Sequence, residues 1–110
     1  MGMNFELNKG AVHIARGIRQ INKASDKADD GNYDSAAKHL DKALNQFADA
    51  LNNFMNAEDD LAAKVGSEID KGKAQLQKAR DAYADGNYDS SDRHLDKALE
   101  YFDEALDLVD

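Results

Sequence analysis

The chain has 110 residues, a formal net charge of −8, 42% hydrophobic and 33% charged residues, and no proline, cysteine or tryptophan. That length supports one domain around a single core; without cysteine there is no disulfide framework, thiolate metal site or cysteine nucleophile. An acidic balance repels phosphate backbones and anionic headgroups, so neither nucleic acid nor a membrane is an expected partner.

The first nine residues, Met1 to Lys9, contain no apolar h-region, and no uninterrupted apolar run is long enough to cross a bilayer. A cytoplasmic location is the default expectation, though a signal peptide removed beforehand would leave no trace. The strongest internal signal is a repeat of 55 residues. Asp30-Gly31-Asn32-Tyr33-Asp34-Ser35 returns as Asp85-Gly86-Asn87-Tyr88-Asp89-Ser90, and His39-Leu40-Asp41-Lys42-Ala43-Leu44 as His94-Leu95-Asp96-Lys97-Ala98-Leu99. Thinner matches precede them, among them Ile14 with Ile69 and Gly17 with Gly72. The reading is one domain, residues 1–110, made of two copies, 1–55 and 56–110.

In chain order, Leu7, Ala11, Ile14, Ile18, Ile21 and Ala28 recur at steps of three and four, the spacing of one helical face, and predict a helix over about residues 8–30. Gly31 then supplies the left-handed conformation of a C-terminal cap, and Asn32 caps the helix that follows. Asp34 falls in the first turn of that helix, where negative charge meets the positive end of the macrodipole. That second helix, 33–55, carries the seam Tyr33, Ala37, Leu40, Leu44, Phe47, Leu51 and Phe54, flanked by the small stripe Ala36, Ala43 and Ala50.

The joint at Asn52 to Asp60 holds neither glycine nor proline, so the second and third helices either fuse into one rod, which forces an intertwined dimer, or turn. The turn is favoured, with Asp59 or Asp60 as cap. A third helix over 59–84 is the weakest, because Gly72 interrupts its stripe at a cost of about 1 kcal/mol relative to alanine, and fraying is expected there. Gly86 and Asn87 repeat the corner. The last helix, 88–109, repeats the seam in Leu95, Leu99, Phe102, Leu106 and Val109, with Ser91, Ala98 and Ala105 as the small stripe. The fold class is therefore all-α, a four-helix up-down bundle made of two duplicated helical hairpins.

Tyr83-Ala84-Asp85-Gly86-Asn87-Tyr88-Asp89, with Leu95 and Lys97-Ala98-Leu99 following, resembles the corner and second helix of a tetratricopeptide repeat, as does the first copy around Gly31. The resemblance covers about half of each unit and implies a helical hairpin that binds peptides or partner proteins. Three departures stand out: the period is 55 residues instead of about 34, the first helix lacks the family's aromatic and glycine pattern, and no proline closes the unit.

A di-iron bundle needs Glu-x-x-His pairs facing the axis, and none is present. His39 and His94 are weak metal candidates, because no second strong ligand shares their helical face and zinc needs three or four. The aspartates around each glycine resemble a calcium loop but lack its third ligand and its bidentate Glu; capping explains them more simply. Ser35 with His39, and Ser90 with His94, lack an orienting acid and an oxyanion hole. No enzyme and no cofactor are expected.

Charge is more informative. Residues 1–55 hold seven basic and seven acidic residues, so the whole excess lies in the second copy, which has seven basic and fifteen acidic. Lys9, Arg16, Arg19, Lys23 and Lys27 line the first helix, so the excess either pairs with them internally or faces a partner. The expectation is a non-enzymatic protein-protein interaction or scaffold module, or one that self-associates, with Asp92, Asp96, Glu100, Tyr101 and Asp103 on the partner-binding face. The alternative is a metal- or divalent-cation-binding bundle.

Overall fold

The apolar spacing resolves into four helices in the computed structural model, which describes residues 2–57 and 59–109 and the side chains from Phe5 onward. They are α1 (Gly2–Asp29), α2 (Tyr33–Asn56), α3 (Asp60–Ala84) and α4 (Tyr88–Val109). Glu58 and Asp110, counted above among the acidic residues, lie outside the described residues. None of the helices is long and apolar enough to cross a membrane.

Each hairpin turns on a glycine at positive φ, +79° at Gly31 and +77° at Gly86. Gly31 N–H donates to the Ala28 carbonyl and Asn32 N–H to that of Lys27; Gly86 and Asn87 repeat this with Tyr83 and Ala82. These paired bonds satisfy carbonyls that the end of a helix would otherwise leave open. The asparagine that closes one helix also starts the next, its Oδ1 accepting the backbone N–H of Ser35 or Ser90 at 3.3 Å. Between the hairpins the chain turns, as favoured above: Ala57 closes α2, and Asp59 Oδ1 accepts from Leu61 N–H at 2.8 Å to cap α3.

The hairpins α1/α2 and α3/α4 close on each other through two seams, α2 against α3 and, more slightly, α1 against α4. The result is a bundle of 46 × 18 × 17 Å. Residues 55 apart meet at its centre. Phe47 and Phe102 stack with ring centroids 3.5 Å apart, and Tyr33 and Tyr88 stack at 3.7 Å beside the corners. Such self-pairing of equivalent residues marks a pseudo-twofold axis along the bundle, which exchanges α1 with α3 and α2 with α4.

The small stripe lets the helices close in: Ala36, Ala43, Ala50, Ser91, Ala98 and Ala105 are all fully buried, and Ser91 Oγ satisfies itself on the Ala79 carbonyl at 3.0 Å. Two expectations fail. The first helix begins at Gly2 instead of near residue 8, and α3 runs unbroken through Gly72. A Cβ at Gly72 would lie 2.5 Å from the Phe102 ring, and one at Gly17 2.5 Å from that of Phe47. These glycines admit the central rings, and the packing offsets their poor propensity.

Candidate functional site

Six acidic residues of α4, Asp89, Asp92, Asp96, Glu100, Asp103 and Asp107, recur at steps of three and four, which makes one stripe along the helix. All six are exposed. Their repeat equivalents on α2 are Asp34, Ala37, Asp41, Asn45, Ala48 and Asn52, so four of the six acids belong to the second copy alone. The stripe flanks the α1 seam: Asp92 and Asp96 line a hollow of about 240 Å³ with Leu95 and Leu99 of α4 and with Ile21, Asn22, Ser25 and Asp29 of α1.

Inside this groove burial, then the carboxylates of Asp29, Asp96 and Asp89, push Asp92 above its ordinary value. The basic residues of α1 do not relieve it. The ion pairs among the described residues are Lys71 with Glu68 at 3.6 Å and Arg80 with Asp41 and Asp81, so none joins α1 to α4. Among the described residues, the internal pairing that the charge asymmetry allowed is not formed between these two helices.

Of the five residues read from the sequence as a binding face, Asp92, Asp96, Glu100 and Asp103 share the stripe. Tyr101 does not. It is half-buried and sits two turns from His94, on the flank that faces α3; adjacency in sequence placed it beside the acids, whereas 100° per residue carries it round the helix. On that same side the neighbouring Glu68 carboxyl raises Glu104 above its ordinary value.

The two metal candidates occupy equivalent places in different hairpins. His39 Nδ1–H donates to Gln20 Oε1 and His94 Nδ1–H to Gln75 Oε1, both at 2.8 Å, which ties the helices of each hairpin together. Burial, then Lys42, Lys23 and Lys27, lowers His39; burial, then Lys78, Lys97 and Arg93, lowers His94. Neither Nδ1 turns to the serine one turn earlier. Among the described residues no three His, Asp or Glu side chains converge so as to hold a metal ion.

What sequence reading missed is the α1 side of the groove. Asn22, Ser25 and Asp29 carry no motif, and only the 55-residue alignment, followed through to Gln77, Arg80 and Ala84, singles them out. Comparison with protein-family models, with curated proteins and with solved structures finds no match to this chain.

Proposed function

We propose that the chain is a non-enzymatic helical interaction module whose acidic α4 face captures a basic protein partner. The observation that supports this reading is the unneutralised stripe, whose carboxylates find no counter-ion on α1 although the two helices are neighbours. Open carboxylates of one sign along a helix steer a cationic surface toward them and fix its register, whereas charges consumed internally would do neither. The likeness of each corner to a tetratricopeptide hairpin points the same way.

Asp96→Lys combined with Asp103→Lys, compared with the unaltered chain for retention of basic proteins from a lysate at low and at raised salt, tests it. The expected result is loss of most of the retained protein and of its salt dependence. Retention unchanged by the double reversal removes the reading.

A further inference from the structure

The pseudo-twofold axis maps the α1/α4 groove onto the α2/α3 seam, and the two differ in one informative way. In the α2/α3 seam Arg80 of α3 reaches across to the carboxylate of Asp41 on α2. Moving each residue by 55 positions puts Ser25 where Arg80 stands and Asp96 where Asp41 stands, and both line the 240 Å³ hollow. The groove thus keeps the carboxylate and lacks the cation. It has also gained acid at its edges, with Asp92 in place of Ala37 and Asp29 in place of Ala84.

We infer that the α1/α4 groove is a receptor for one arginine side chain of a basic protein segment, its guanidinium taking the place that Arg80 fills in the related seam. The inference rests on the reading of α4 as a partner-binding face and names what that face grips. An acidic cluster alone would say little; the independent observation is that this chain already holds a guanidinium on the equivalent aspartate half a turn around the axis.

The surroundings fit that side chain. The half-buried Leu99, with the edge of Leu95, offers apolar surface to its methylene stem, and Asp29, Asp92 and Asp96 line the same hollow, so a guanidinium there has more than one carboxylate within its surroundings. A volume of 240 Å³ is below the range of about 300–1,000 Å³ usual for drug-sized ligands, which suits a single side chain. Beyond the groove the stripe continues through Glu100, Asp103 and Asp107. From Asp89 to Asp107 it spans about 27 Å at 1.5 Å per residue, more than a free guanidino compound would use and enough to take the flanking residues of an extended basic peptide.

The test is a titration of the isotope-labelled chain, followed by amide chemical shifts, with acetyl-Lys-Lys-Arg-Lys-Lys-amide, with the all-lysine peptide of equal charge, and with N-acetylargininamide. The expected result is binding of the arginine peptide at least about threefold tighter than the all-lysine peptide. Its largest shifts should fall on Asn22, Ser25, Asp92 and Asp96, and N-acetylargininamide should bind more weakly at the same amides. Ser25→Arg, which supplies the missing cation from within, should abolish the preference for arginine; Asp96→Asn should reduce it without filling the groove.

Equal binding of the two peptides, with shifts spread along α4, would overturn the groove assignment and leave the acidic-face reading standing. Binding of N-acetylargininamide as tight as that of the arginine peptide would overturn the assignment to a protein segment. Absence of binding by every probe would overturn both.

Discussion

Gly72 shows how one residue's meaning depends on what lies across the bundle from it. Gly72→Ala gains about 1 kcal/mol of helix propensity, yet its Cβ would lie 2.5 Å from a Phe102 ring already stacked on Phe47, and overpacking of that kind typically costs about 1–3 kcal/mol. Chemical denaturation should therefore find Gly72→Ala less stable than the parent. Gly66→Ala, whose Cβ would meet only Leu51 at an ordinary 3.7 Å, should be more stable by about 0.5–1 kcal/mol; the reverse order would refute the packing argument. Read locally, Gly72 signalled fraying, because propensity is a property of the chain and the ring that uses the gap is thirty residues away. The legible hint was that Gly17 and Gly72 recur at the same spacing as Phe47 and Phe102. The histidines make a second residue-scale prediction. A folded value below the usual 6.5 means that the native state binds the proton less readily than the unfolded chain does. This contribution to stability is present above pH 6.5 and is lost as pH falls through the lowered values. Thermal midpoints should drop over that window, and the drop should shrink in the His39→Gln, His94→Gln double variant.

At the scale of an element, the corners were the most legible feature, because glycine and asparagine chemistry is local: a positive φ and a capping oxygen need nothing from the rest of the fold. Asn87→Ala should cost about 0.5–2 kcal/mol through loss of the cap to Ser90, measured against Asn45→Ala on the exposed face of α2 as a control. The acidic stripe of α4 was legible as charge but not as a surface. Which acids share a flank follows from helical period, yet whether α1 neutralises them depends on where its lysines and arginines point. Asp92 reports the outcome. A carboxyl held above its ordinary 3.8 binds its proton more readily in the native state, so its ionised form opposes folding. Asp92→Asn should accordingly raise the thermal midpoint at neutral pH, with the gain fading as pH falls through the raised value. A lower midpoint at neutral pH would mean that the carboxylate has a counter-ion in solution.

Across the whole molecule, two copies of one hairpin have diverged around an axis that still holds their shared centre. Where the first copy sets Phe54 against Gly10, the second has Val109 and Val65 at the corresponding positions, two medium side chains in place of a ring and a glycine. The hydrogen bonds from His39 to Gln20 and from His94 to Gln75 are kept in both. The duplication and the bundle could be read from the sequence because periodicity survives divergence; the inequality of the two seams could not, since it exists only once α1 lies beside α4 and α2 beside α3. That inequality is the centre of the account, and moving the arginine from one seam to the other tests it. Arg80→Ser should lower the thermal midpoint by a few degrees, in keeping with about 1 kcal/mol or less for a partly exposed ion pair. Adding Ser25→Arg to that variant should restore the midpoint to the parent value or above, because Asp29, Asp92 and Asp96 await the cation. A midpoint that stays low or falls further after the second substitution would contradict the equivalence of the two seams.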